Sequence, residues 1–403
     1  MIKRVLNKKK NFSELDFLNI LIYLVAPFLA IPSIIYSLIK KTKLSYFLYS
    51  LLIAFISYLY IPTIEMDKSR HIEFYDFSKY LSIKEFLFFN FKDSPDFLFR
   101  LLLYIASVNN ISFNYIVFFI TFITVFLIFK VFYDYLKNNI IPRFSIIILL
   151  LCVFSLSYID LLSGIRYTFA IAFSFYGLYQ TLIKKNKIGL LYLIIGPLIH
   201  FSTIIYLIFY FIFPLLNKIK AKYIRLFLLI SLGFLLIPQS VLFNIIKGVG
   251  LSGAIDGKVN AYLGENNLGE VKETFSTLFI KFFNIVWVVV ISIYLLINKK
   301  SNQSLYYKPL VFLLIFTNVF ITIPVIFNRY ALFIKLFLVL FLIDTELKKN
   351  NIKITLLILI IFVVIGINQM IVMRDGMISM FTPSILNWSF IYNIFENNTI
   401  NIK

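Results

Sequence analysis

Runs of about twenty consecutive apolar residues recur along almost the whole chain, from Phe17 to Met373. Wound as a helix at about 1.5 Å per residue, such a run crosses the ~30 Å hydrocarbon layer of a bilayer. Lipid offers a bare amide no partner, so these segments must be helices with every backbone bond internal. A β-barrel would need alternating residues, and these runs are continuous. The composition agrees: 61% hydrophobic, 19% aromatic and only 14% charged, with a mean hydropathy of +0.90. A soluble domain carries about 25% charge. The fold class is therefore all-α: a polytopic integral membrane protein with about 10–12 transmembrane helices.

Candidate spans are Phe17–Ile39, Leu44–Pro62, Phe113–Leu136, Phe144–Leu162, Ile165–Ile183, Ile188–Phe213, Ile224–Ile246, Thr277–Ile297, Pro309–Phe327, Tyr330–Ile343 and Ile354–Met373. The formal net charge of +20 raises the question of nucleic acid. However, Lys and Arg fall in short clusters between the spans, at 40–43, 137–143, 184–187, 217–225, 298–300 and 348–353. That is the pattern of cytoplasmic loops, and it argues against a nucleic-acid partner. With these clusters inside, loops 63–112 and 247–276 and the tail 374–403 fall outside, as do turns near Gly164 and Arg329. The chain reads as a single transmembrane domain, 1–403. The outer loop 63–112 carries one short apolar helix, "PDFLFRLLLYIASV", suited to an interface. The basic N-terminus precedes a run too long for a signal peptide, which predicts a retained membrane helix. Cys152, the sole cysteine, lies in an apolar run, so there is no disulfide framework or cysteine metal site.

Polar groups at membrane depth are costly and need a reason. His200 lies in "IIGPLIHFSTIIYLIFY" with basic clusters on both sides. One crossing would put a cluster outside. Two half-helices meeting near Pro197–Ser202 keep both inside, with Gly196-Pro197 as the break and His200 at the outer bend. The ring then serves a broken-helix carbonyl, or acts as a base or a phosphate contact. Arg166 opens a helix at the outer interface, with Asp160 across the turn as a partner. Below it, Ala170, Ser174 and Gly177 make a small face, which allows close packing or leaves room for a ligand. Arg329 stands at a second outer turn. Each arginine either snorkels with a partner or clamps an anion, since the guanidinium fork donates two parallel hydrogen bonds to phosphate. Two of them on separate helices point to a diphosphate site. In the first outer loop Asp67, Arg70, His71, Glu73, Tyr75 and Asp76 form either a solvated surface or the place where a carboxylate deprotonates a hydroxyl. Asp93 and Asp96 are similar, and Asp96 could equally cap the helix that follows. The carboxylates and histidines are too scattered for a metal, and no cofactor is expected. No P-loop, HExxH or GxSxG occurs, which argues against the familiar ATPases, zincins and serine hydrolases.

Three of these stretches resemble the EpsG family of Wzy-like exopolysaccharide and O-antigen polymerases. "GIRYTFAIA" (Gly164–Ala172) is similar to the family's arginine-bearing helix start, "PLIHFSTIIYL" (Pro197–Leu207) to its His-x-Ser element, and "FNRYALFI" (Phe327–Ile334) to its late arginine turn. "SPDFLFRLLLYIAS" (Ser94–Ser107) and "NWSFIYNIF" (Asn387–Phe395) add to the resemblance. Tyr167 departs from it, standing where glutamine is common, and Asp67 and Tyr75 lie farther apart than usual. The resemblance implies a multi-pass C-type glycosyltransferase of the bacterial cytoplasmic membrane. Its substrates would be oligosaccharide repeat units on undecaprenyl diphosphate, joined at the outer face into capsular, exopolysaccharide or O-antigen chains. Its partners would be the lipid bilayer and a chain-length regulator. Carried over residue by residue, Arg166 and Arg329 bind the diphosphate, and His200 is base or phosphate contact. Asp67 or Asp96 is the reserve base, and Arg70, Asp160, Ser202 and Tyr392 support. Two other functions stay open: an O-antigen ligase-like transferase or membrane acyltransferase, and a flippase or transporter of lipid-linked sugar. A ligase would display its histidine on a large outer loop, and here those loops hold only His71. A flippase predicts internal repeats and charges deep in a cavity, whereas here the charges are read at outer helix ends.

Overall fold

The structure, a computed structural model, describes residues 14–42, 44–64, 66–93, 96–138, 142–242, 275–381 and 389–391. Among them the regular elements are helices and no strand occurs. The first expected span is two helices, α1 (Glu14–Val25) and α2 (Ile31–Lys40), parted at 26–30. Pro27 has no N–H to donate and its ring crowds the preceding turn. α3 (Ser45–Leu59) follows.

The first expected loop holds three helices rather than one: α4 (Asp67–Ser78), α5 (Ile83–Asp93) and α6 (Phe97–Val108). α5 opens on a reciprocal cap in which the Ser82 amide donates to Glu85 and the Glu85 amide to Ser82 Oγ. α4 has little apolar periodicity of its own and is held by remote groups. Fully buried Lys68 donates to the carbonyls of Ser57 (2.8 Å) and Tyr60 (2.6 Å), the open C-terminal end of α3. Desolvation in that seat pulls its pKa down to about 7. Tyr75 Oη donates to the Ile111 carbonyl, and Ser107 Oγ to that of Tyr75.

The chain continues through α7 (Phe113–Asn138), α8 (Ser145–Phe154), the short α9 (Tyr158–Leu162) and α10 (Ile165–Leu178). The expected span Phe144–Leu162 is thus broken at Ser155–Ser157. There Gln369 accepts from the Tyr158 amide and donates to Ser157 Oγ, both at 3.1 Å. α11 (Gly189–Ile199) and α12 (Ile204–Leu216) form the expected pair of half-helices. The break falls at His200 (φ −147°, ψ 113°), not at Gly196-Pro197. Pro197 deletes one helix bond, but the His200 amide still reaches the Gly196 carbonyl at 2.9 Å, so the helix runs on to Ile199.

α13 (Ala221–Leu232), α14 (Phe275–Ile297), α15 (Tyr307–Val319), α16 (Pro324–Thr345), α17 (Lys353–Val372) and α18 (Arg374–Phe381) complete the described bundle. The expected outer loop 247–276 falls almost wholly outside the described residues, as does most of the tail 374–403. α7, α14, α16 and α17 are each long and apolar enough to cross a membrane unaided. Shorter apolar helices pack around them, and the chain is an integral membrane protein. α16 is the central post: every residue from Ala331 to Ile343 is buried.

The bundle has two chemically distinct ends. At one, Asp344 gathers Tyr135 (2.9 Å), Ser304 (2.7 Å) and Lys348 (2.6 Å), and Lys308 bonds the carbonyls of Asn217 and Ile219. The described residues of the basic clusters lie here. α11 rises from this end antiparallel to α10, and α12 returns against α16, with Tyr206 stacked on Phe333 at 3.7 Å. The His200 break, the starts of α10 and α16, and α4–α6 lie at the other end.

Candidate functional site

Asp96 is the junction of that second end. It precedes α6, yet its side chain does not cap that helix. One oxygen accepts from Arg166 Nη1 at 2.9 Å and the other from the Phe201 amide at 2.8 Å. A single buried carboxylate thereby ties the start of α10, the start of α6 and the break after α11. Arg166 pairs with Asp96, not with Asp160 across its own turn. Its side chain keeps 23% exposure, against 2% for Asp96, so part of the guanidinium still faces outward.

His200 is buried. Its Nδ1 accepts from the Ser202 amide (3.3 Å) and lies 2.8 Å from Ser202 Oγ. In a neutral ring that bond places the proton on Nε2. The imidazole meets the Tyr167 ring edge-on, with centroids 5.3 Å apart. Arg329 lies over the same Tyr167 ring at 5.5 Å. It sits in the second turn of α16, one turn deeper than expected, because α16 begins at Pro324. Tyr167, the departure from the resembled pattern, is thus the aromatic plate between His200 and Arg329. Asp160 lies within electrostatic range of Arg329, Lys335 and Asp67. Asp67 and Arg70 form an exposed i,i+3 ion pair at the start of α4. Tyr392 lies outside the described residues.

Two further ionisable groups lie nearby, one within electrostatic range of Asp160 and one of Arg166. Lys335, buried in the middle of α16, places its ammonium 5.3 Å from the Phe362 ring and 6.0 Å from Trp287. A lysine inside an apolar span is the signal that marks it in the sequence, and it corrects the reading that charges lie only at outer helix ends. His71 packs on Phe99 at 4.8 Å, its Nε2 buried without a hydrogen bond. Burial first, then the positive Arg166, push its pKa down to about 3, so the ring is neutral at pH 7. No periodicity singles it out, because its neighbours come from α6 and α10.

The small face below Arg166 is closed by α11. A Cβ on Gly177 would stand 2.9 Å from the Gly189 carbonyl, and one on Gly196 would stand 2.6 Å from Ser174 Oγ. That face serves close packing. Among the described residues no three His, Cys, Asp or Glu gather as a metal would need. Arg166, His200 and Arg329 thus stand at one end of the bundle, with Asp96 fixing Arg166 and the His200 turn; guanidinium groups in general suit oxyanions.

Fold and site together define a polytopic helical membrane protein with two arginines and a buried histidine at one end of its bundle. A family model described as EpsG family matches residues 63–383. The chain belongs to that family, whose members are membrane polysaccharide polymerases. No curated protein and no solved structure matches it.

Proposed function

We propose that the chain is the repeat-unit polymerase of a bacterial surface polysaccharide, a C-type glycosyltransferase working at the outer face of the cytoplasmic membrane. The observation that carries this reading is the meeting of His200 and Arg329 on Tyr167, with Arg166 tied through Asp96 to the turn that holds His200, at the end opposite the basic loops. Basic loops stay in the cytoplasm, so the site faces outward. The substrates are oligosaccharides on undecaprenyl diphosphate. A sugar hydroxyl of the incoming unit attacks the anomeric carbon of the growing chain. The bond from that carbon to the diphosphate oxygen breaks, and its electron pair leaves with the lipid diphosphate. Arg166 and Arg329 neutralise the developing charge, and His200 donates from Nε2 to a phosphate oxygen; prepositioned donors of this kind dominate such catalysis. Asp96 has both oxygens engaged and acts as a positioning residue for Arg166 and the His200 turn. His71, neutral beside Arg166, accepts a hydrogen bond from the attacking hydroxyl. Asp67, at the exposed mouth with Arg70, takes the proton to water. Ser202 fixes the His200 tautomer, and Asp160 balances Arg329 and Lys335. A chain-length regulator is the expected partner.

The test is a gel of surface polysaccharide from cells lacking the protein, complemented with wild type, Arg166→Ala or Arg329→Ala. The expected result is loss of the ladder with single units still exported, restored by wild type alone. A ladder restored by both variants sinks the scheme. A full ladder left on the lipid carrier makes the protein a ligase, and units trapped on the cytoplasmic side make it a flippase.

A further inference from the structure

A second charged cavity lies at the basic end of the bundle, about 30 Å from the site by the twenty residues of α7 that separate Phe113 from Tyr133. Its volume is about 510 Å³, and it opens between the ends of α2 and α7 and the start of α8. Lys40, Lys41, Lys137 and Arg143 line it together with Tyr133 and Ser145, and no carboxylate is among the described lining residues, although Asp134 and Asp16 lie within electrostatic range of Tyr133. Among the described residues none of the four cations makes an ion pair. Lys40 and Arg143 lie instead over the rings of Tyr36 and Phe144, at 5.4 and 5.5 Å.

Topology alone asks only that these residues stay on the cytoplasmic side. It does not ask that they converge, and convergence of like charges is unfavourable unless an anion fills the space. Three observations point to such an anion. The Lys41 ammonium is buried with no hydrogen-bond partner, a costly state that an oxyanion would relieve. α8 follows directly on a 3-10 turn at Pro142–Phe144 at the cavity wall and has no side-chain cap, and helix starts favour anions. The cavity also continues into a narrow cleft of about 40 Å³ that shares Lys41, Tyr133 and Ser145 but is otherwise walled largely by apolar groups such as Leu38, Phe129 and Ile148. A basic mouth above an apolar cleft matches a ligand with a phosphate at one end and hydrocarbon at the other.

We propose that this cavity binds the phosphate of an anionic membrane phospholipid, with the start of its acyl chain against the cleft. The lipid would bridge α2, α7 and α8 at the end remote from the site. This proposal stands apart from the polymerase reading and is tested without any activity assay.

The full-length protein is purified in mild detergent, exposed to mixed phosphatidylglycerol and phosphatidylcholine, and analysed by native mass spectrometry. Wild type is expected to retain phosphatidylglycerol in preference to phosphatidylcholine. Each surface cation contributes about fivefold to attraction of an anionic lipid, so the Lys137→Gln/Arg143→Gln protein should lose at least about tenfold of that retention. Lys137→Arg should keep it, and Lys218→Gln, a basic-end change outside the cavity, should leave it unchanged. Equal retention of both lipids, or an equal loss in Lys218→Gln, overturns the proposal. A parallel arm adds inorganic phosphate alone. Phosphate that saturates Lys41-dependent binding while phosphatidylglycerol is not retained also overturns the lipid assignment. Size-exclusion profiles matched to wild type confirm that each variant is folded.

Discussion

The Asp96 carboxylate meets a guanidinium on one oxygen and a backbone amide on the other. Deleting it strands both donors in a largely dry setting. Breaking a buried pair from one side costs about 3–5 kcal/mol, and the partial exposure of Arg166 favours the low end. Asp96→Ala is expected to lower the thermal midpoint in detergent and to abolish polymer. Asp96→Asn keeps an acceptor for the Phe201 amide but loses the charge facing Arg166. It should retain most of the stability and lose transfer by roughly tenfold, as expected for weakening a charge-assisted bond by about 1.4 kcal/mol. Equal stability of Asp96→Ala and wild type would show that the junction is not a structural anchor. At this scale Arg166, His200 and Arg329 are legible in the sequence, because a charge or imidazole in an apolar run is conspicuous. No local pattern marks Asp96, seventy residues from Arg166, as its partner, or Tyr167 as the ring that both His200 and Arg329 meet.

α10 and α11 are joined by absence of side chains. Cβ atoms added at Gly177 and Gly189 would stand 2.9 and 2.6 Å from the facing backbone carbonyls, and backbone cannot yield as a flexible side-chain tip can. Overpacking of this kind costs about 1–3 kcal/mol. Gly177→Ala and Gly189→Ala are each expected to lower the thermal midpoint and to weaken the ladder, since α11 carries the His200 turn. Gly233→Ala, with nothing within 4 Å of the added atom, serves as the control. The helix boundaries show which local signals were readable. The Ser82–Glu85 cap of α5 is written in its own four residues, and its start could have been placed from them. α4 could not be, because its anchors are the C-terminal carbonyls of α3 and the carbonyl of Ile111.

Among the described residues the basic clusters between spans lie at the end opposite the site, and the α11–α12 hairpin keeps both of its flanking clusters there. A single crossing there would leave one basic cluster on the site's side. Cys152 is buried, so the native chain offers a quiet background for accessibility labelling. Lys187→Cys and Lys218→Cys are expected to react with an impermeant maleimide only after the cytoplasmic side is opened. Glu73→Cys should react from the outside in intact cells. Labelling of positions 187 and 218 from opposite sides would remove the hairpin and, with it, the outward placement of the site.

Local patterns along the chain are enough for the solvent, the fold class, the paired half-helices and the three polar residues most out of place. These follow from short-range quantities: the length of an apolar run, the sign of the charges beside it, and the cost of a polar group in hydrocarbon. Long-range packing alone sets where the long runs break, that Asp96 anchors Arg166, that Lys335 lies within electrostatic range of Asp160 and His71 of Arg166, and that the small face of α10 is filled by a helix. Each of these depends on a contact between residues far apart in the chain, and no local pattern records which distant group will arrive to satisfy a buried donor or fill a gap.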